Sequence, residues 1–192
     1  NVEHVPMWWS YYGANQEADN TAAANLKAAG ARSLLAYNEP DKTDQANLTV
    51  EYALQGFRQA GIACTAAGLE LISPACADNN STWMQQFMAE VASQGLKCDA
   101  VAVHSYLRDP NSFLNYIDGI YNRYGKNIWI TEFAPTDWAS PTDVTTAEVR
   151  NFINIVIPAL ESRSYVIRYS WYCGTLPGPD VLGTAALFDA NG

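Results

Sequence analysis

Short runs rich in β-branched and aromatic residues alternate along this chain with longer stretches of helical period. The runs span residues 2–9, 33–37, 69–74, 100–106, 128–133 and 165–172, and their starts lie 28 to 37 residues apart. One strand–loop–helix unit takes roughly 30 residues, so the alternation predicts a parallel sheet dressed with helices. Between the runs, Trp83, Phe87 and Val91, with Met84 and Met88, mark one amphipathic helix. Phe113, Tyr116, Ile117, Ile120 and Tyr124 mark another that begins after Pro110. Thr145-Thr146-Ala147-Glu148 has the capping-box pattern and precedes the stripe Val149, Phe152, Ile153, Val156, Ile157 and Leu160, which Pro158 should kink or shorten. The stretch 19–29 runs into Gly30 and the stretch 49–60 into Gly61, each predicting a helix closed by glycine.

Six units of this kind fit the chain, whereas a closed barrel of eight takes about 250 residues. The predicted fold is therefore α/β, a small or incomplete (β/α)8 barrel of the TIM type. The first one or two βα units and the last helix are expected to be absent, since the sequence opens on a strand-like run and stops at 188–192, where a turn and a helix should follow. No linker or low-complexity stretch divides it, so residues 1–192 read as one catalytic-sized domain. An open flavodoxin-like sheet is the alternative, but no glycine-rich phosphate loop follows the first run, which leaves its nucleotide-binding version unsupported.

Composition narrows the setting. The 192 residues carry a net charge of −9, with 48% hydrophobic and only 16% charged positions. That balance excludes a nucleic-acid or anionic-membrane surface and a disordered chain. No apolar run approaches the roughly 18 residues of a membrane span, so the protein reads as soluble. Neither an initiator Met nor a signal peptide is present, which reads as a processed or trimmed chain. The four cysteines, Cys64, Cys76, Cys98 and Cys173, are even in number and lack zinc-ligand spacing, leaving three possible pairings and no metal or other cofactor. Asn47-Leu48-Thr49 and the overlapping Asn79-Asn80-Ser81 and Asn80-Ser81-Thr82 match the N-glycosylation pattern. Together these features predict a secreted glycoprotein.

Two glutamates stand at the C-terminal ends of strand-like runs: Glu39 in Leu34-Leu35-Ala36-Tyr37-Asn38-Glu39-Pro40-Asp41, and Glu132 in Ile128-Trp129-Ile130-Thr131-Glu132-Phe133-Ala134. In a βα barrel those ends build the catalytic face, so residues distant in sequence converge there. Two such carboxyls suit glycoside chemistry, one giving a proton to the departing sugar oxygen while the other attacks or activates water. A lone glutamate is usually a solvated side chain. A charge directly after an apolar strand, however, is costly unless it is hydrogen-bonded or used.

Tyr37-Asn38-Glu39-Pro40-Asp41, Ile72-Ser73-Pro74-Ala75, Val101-Ala102-Val103-His104-Ser105-Tyr106 and Trp129-Ile130-Thr131-Glu132-Phe133-Ala134 resemble the successive strand-end motifs of glycoside hydrolase family 128. That family comprises mostly fungal endo-β-1,3-glucanases with a small βα barrel, and the resemblance runs from Val5 to Asp189. It implies a retaining endo-β-1,3-glucanase with Glu39 as acid/base and Glu132 as nucleophile, and two barrel units before Asn1. A non-hydrolytic β-glucan-binding protein, or a retaining barrel glycosidase acting on another β-glycan, remains the alternative.

The remaining candidates follow from their chemistry. Asn38 can offer its amide to the sugar 2-hydroxyl. His104 and Tyr106 sit two apart on a strand and so face one side, within reach of a neighbouring strand-end carboxylate. Trp8, Trp138, Trp171 and Tyr172 follow or end strand-like runs and offer aromatic faces to pyranose C–H groups. Strand alternation lets at most one of Trp8 and Trp9 face the cleft. The expected partner is a β-1,3-glucan oligo- or polysaccharide bound by a monomer. Cys64 and Cys98 should precede adjacent strands at the N-terminal end of the barrel, making a Cys64–Cys98 disulfide the most reachable pairing, with Cys76–Cys98 as its competitor.

Overall fold

The computed structural model describes residues 3–13, 15–137, 144–174 and 183–187. The chain divides into two compact units, Asn1–Ala102 and Val103–Gly192. Every strand pairing resolved residue by residue is parallel, as βα alternation requires.

The first unit runs α1 (Gln16–Ala28), β1 (Ser33–Leu35), α2 (Val50–Ala67), β2 (Glu70–Ile72) and α3 (Thr82–Ser93). Ser33, Leu34 and Leu35 pair with Glu70, Leu71 and Ile72. All three β1 residues are buried, which explains why an apolar run without alternation forms this strand. The predicted first strand, 2–9, survives only as a bridge between Met7 and Leu35, held by the Trp8 and Leu35 N–H groups. On the far side Ile72 bridges Ala100, where the next strand begins.

Helix α2 departs from expectation. It does not stop at Gly61 but continues to Ala67 and closes on Gly68, whose left-handed φ of 68° suits glycine. A mid-helix glycine costs about 1 kcal/mol relative to alanine, and Gly61 lies buried with Lys97 Cβ 3.4 Å from where its own Cβ would be. Gly56 matters more. A Cβ there would meet the Tyr11 ring at 2.4 Å and the Tyr37 hydroxyl at 2.5 Å. The bare backbone lets α2 close over Tyr37, which is 2% exposed and donates its hydroxyl to Ala53 O.

The second unit takes in most of β3 (Val101–Leu107), then α4 (Pro110–Tyr124), β4 (Ile128–Thr136), α5 (Thr146–Glu161), β5 (Val166–Trp171) and a 3₁₀ turn at Gly183–Ala185. Its sheet has the order β3-β4-β5. Asp109 caps α4 with Pro110 in the first turn, and Gly125 ends it. The capping box at Thr145 and Glu148 opens α5 as its sequence predicts. Pro158 does not end α5, which extends to Glu161. Phe113, Phe133 and Phe152 from α4, β4 and α5 meet at ring separations of 5.3–6.5 Å and form the apolar layer behind the sheet.

The expected cysteine pairing is not formed in the structure: neither Cys64–Cys98 nor Cys76–Cys98 is bridged. Because α2 runs past Gly61, Cys64 is fixed on a helix rather than carried on a loop, and Cys98 Sγ turns to the Ala100 carbonyl at 3.5 Å. Burial pushes the Cys64 thiol up to about 11. Among the described residues no helix is long and apolar enough to cross a membrane.

Candidate active site

In the first unit the chain keeps company with its neighbours beyond β1 before it turns. Asn38 bridges Ala75 in parallel and donates its N–H to Trp9 O at 3.0 Å. Asn38 is buried and its Nδ2 donates to Gln45 Oε1 at 3.0 Å, which fixes the amide at the strand end. Glu39 follows with φ of 40°, a left-handed conformation uncommon for a residue with a side chain. Its N–H donates to Ala75 O at 2.8 Å and its carbonyl accepts the Lys42 N–H at 3.0 Å, so both of its backbone polar groups are engaged in the turn. Backbone held in a sparsely populated region is a recurrent feature of functional positions. Trp8 is half-buried beside β1, and Trp9 is 44% exposed.

The second unit builds its half around Glu132. Tyr106 donates its hydroxyl to Glu132 Oε2 at 2.6 Å, a length typical of an O–H bonded to a carboxylate anion. His104, only 1% exposed, places Nδ1 3.6 Å from the same oxygen. The two β3 residues expected to share a face therefore converge on one carboxylate. Tyr172 stands edge-on to Tyr106 at 6.2 Å and is 41% exposed, so one ring orients the other.

A local irregularity in β4 aims Glu132. From Ile130 to Phe133 the strand advances three residues, while β5 advances two, from Tyr169 to Trp171. Tyr169 donates to Glu161 of α5, and Trp171 packs edge-on against Phe152 of α5 at 6.1 Å, so both lie on the helix side. Strict alternation from Ile130 would put Glu132 on that side too. The extra residue instead keeps Phe133 among the helices and turns Glu132 to the face of His104 and Tyr106, the re-aiming that β-bulges perform.

The other sequence candidates are placed unevenly. Trp171 is engaged in packing: its ring lies 5.2 Å from Phe133 and its Nε1 donates to Ala185 O at 2.7 Å. That arrangement packs its ring against the apolar layer, while the residue stays partly exposed. Trp138 lies outside the described residues. Asn47 and Asn80 are exposed, as glycan acceptors must be. Asn79 is fully buried and donates Nδ2 to Ala102 O at 2.8 Å, which removes it as an acceptor.

Sequence reasoning missed Arg108. Its guanidinium holds Glu148 through Nη2 at 2.6 Å and Nε at 3.1 Å, and it approaches Asp137 at 3.6 Å, tying the ends of β3 and β4 to the start of α5. The Thr145 N–H and then Arg108 hold the Glu148 carboxyl down at about 2. The only signal in the sequence was a single arginine just after an apolar strand.

Residues 1–192 match the glycosyl hydrolase catalytic core family. A fission yeast relative, alkali-sensitive linkage protein 1 of Schizosaccharomyces pombe, is 31% identical over 94% of this chain, which spans 34% of that protein's length. Among solved structures, a glycoside hydrolase family 128 subgroup I endo-β-1,3-glucanase from Amycolatopsis mediterranei in complex with laminaritriose superposes with a TM-score of 0.77 at 31% identity, covering 96% of this chain and 76% of its own. A subgroup II endo-β-1,3-glucanase from Sorangium cellulosum gives a TM-score of 0.82 at 25% identity, covering 98% of this chain and 75% of its own. The chain belongs to the glycosyl hydrolase catalytic core family, and solved structures similar to it include family 128 endo-β-1,3-glucanases.

Proposed function

We propose that this chain is the catalytic core of a secreted, retaining endo-β-1,3-glucanase that acts as a monomer on β-1,3-glucan without metal or cofactor. The observation that carries the reading is the Glu132 carboxylate within β4, gripped by Tyr106. In this reading Glu39 and Glu132 are the carboxyl pair of a (β/α)8-type catalytic domain, in which retaining enzymes use two carboxyl groups about 5–5.5 Å apart. The Amycolatopsis relative is complexed with laminaritriose, which supports β-1,3-glucan as the substrate.

The chemistry then balances in two displacements. A Glu132 oxygen attacks the anomeric carbon, the bond to the departing sugar oxygen breaks, and that oxygen takes the proton of the Glu39 carboxyl. Glu39, now a carboxylate, removes a proton from water. The water oxygen attacks the same carbon and the ester to Glu132 breaks, restoring both groups and the original anomeric configuration. Tyr106 donates to Glu132 throughout, Asn38 meets the 2-hydroxyl, and Trp8, Tyr172 and Trp138 supply apolar faces to the glucan. Exposed sequons at Asn47 and Asn80 support secretion and glycosylation.

Product analysis tests the reading. Laminarin-type oligosaccharides should be cut internally, with the β-anomer appearing first by NMR, while cellulose- and mannan-type chains stay intact. First release of the α-anomer, cleavage of the other glycans in preference, or binding without any products would contradict it.

A further inference from the structure

The turn that presents Glu39 is anchored by a side chain that the chemistry above does not use. Asp41 lies two residues beyond Glu39. Its Oδ1 accepts the Ala77 N–H at 2.9 Å, and its Oδ2 accepts the Asp78 N–H at 3.3 Å. Cys76, just before these two N–H groups, is fully buried. We propose that Asp41 is a positioning residue for Glu39, clamping the left-handed turn after β1 to the loop after β2.

Three features of the turn and its anchor support this role. First, Glu39 holds a backbone conformation that side-chain-bearing residues rarely adopt and that persists only where the surroundings over-determine it. Its own bonds, to Ala75 O and from Lys42 N–H, fix the turn from within and from the segment just after β2. Asp41 adds a grip from the next loop.

Second, that loop is itself rigidly built. Asp78 Oδ1 accepts the Asn80 N–H at 2.8 Å, and the Ser81 N–H donates to Asp78 O at 2.9 Å. Ser81 caps α3, and buried Asn79 ties the loop to Ala102. An anchor must be firmer than what it holds, and this loop is held by a helix cap, an Asx turn and a neighbouring strand.

Third, a carboxylate accepting two successive backbone N–H groups makes bonds stronger than neutral pairs and fixed in direction. Shifting the turn by a fraction of an ångström moves the Glu39 carboxyl relative to the glycosidic oxygen. The inference rests on the reading of Glu39 as acid/base.

The test compares two substrates. A laminari-oligosaccharide needs a proton on its leaving oxygen, whereas a 2,4-dinitrophenyl β-glucoside departs without one. Asp41→Ala should lower kcat/KM on the oligosaccharide by about 10- to 100-fold, the scale on which a roughly 1 Å misplacement acts. On the aryl glycoside the change should stay within about threefold. Asp41→Asn keeps a carbonyl oxygen for one N–H group, so it should show the same split with a smaller loss, and it supplies folded protein should the alanine variant not fold. Glu39→Gln, measured in parallel, should split the substrates more strongly. If Glu39→Gln leaves oligosaccharide hydrolysis intact, the acid/base reading falls. If Glu39→Gln splits the substrates but the Asp41 variants affect both equally, affect neither, or fail to fold at all, Asp41 is no positioning residue.

Discussion

Glu132 accepts the Tyr106 hydroxyl from the neighbouring strand, and two substitutions at this bond test the mechanism. Glu132→Gln keeps the shape of the side chain and removes the attacking charge, so turnover should fall by orders of magnitude while oligosaccharide binding persists. Calorimetric titration beside a rate assay separates the two, and near-normal hydrolysis would refute the nucleophile assignment. Tyr106→Phe keeps the ring against Tyr172 and loses only the hydroxyl. A hydrogen bond to a charged group contributes about 1.5–3 kcal/mol, so kcat/KM should drop roughly tenfold to a hundredfold. An unchanged rate would mean the 2.6 Å bond has no part in the chemistry. Both glutamates stand out in the sequence because a carboxylate directly after an apolar run is chemically conspicuous, although β4 continues past Glu132 to Thr136. The pairing of His104 with Tyr106 was legible from alternation alone. The packing role of Trp171 was not, because an aromatic at a strand end reads the same whether it faces helices or a cleft, and only the positions of Phe133 and Phe152 decide it.

At the scale of elements, the β4 irregularity separates what patterning reveals from what it hides. Ile128, Ile130 and Phe133 are all buried, yet no strictly alternating strand puts Ile130 and Phe133 on one side. That conflict was visible in the sequence, but nothing in Thr131-Glu132 says which residue is extra, since neither is a turn former. Helix limits were mostly legible through their caps, whereas Gly61 misled because a glycine at close packing resembles a glycine at a terminus. Gly56 carries the sharper consequence. Gly56→Ala places a Cβ within 2.6 Å of Tyr11 and Tyr37, so it should destabilise by about 1–3 kcal/mol, read as a lower denaturant midpoint at unchanged slope. An unaffected midpoint would show that the rings yield freely. The start of α5 predicts an acid response. Glu148 titrates near 2 when folded and near its ordinary value when unfolded, so its contribution is present above about pH 4 and is lost as pH falls toward 2. Glu148→Gln should lower the Tm at neutral pH, with the gap to wild type closing as the pH approaches 2. A gap independent of pH would detach the effect from the carboxylate.

For the whole molecule, the alternation and spacing of the runs pointed to a βα fold, and the two units supply parallel pairing in both. The structure also makes the overlapping sequons unequal: Asn80 is exposed while Asn79 is sealed against Ala102. When the protein is made in a glycosylating secretory host, glycopeptide mapping should find glycan at Asn80 and none at Asn79, and occupancy of Asn79 would contradict the placement of that loop. The cysteine pairing was misread because reach along the chain says nothing about helix length, and α2 carries Cys64 inward beyond the point where a loop was expected. The central claim is that Glu132 forms a covalent bond to the sugar, and trapping that bond tests it most directly. The protein would be treated with a 2-deoxy-2-fluoro laminaribiosyl fluoride, which slows both displacements while its good leaving group allows the first, and then digested and mapped by mass spectrometry. The account predicts a glycosyl adduct on the peptide bearing Glu132, absent in Glu132→Gln; an adduct on any other residue, or turnover without one, would contradict it.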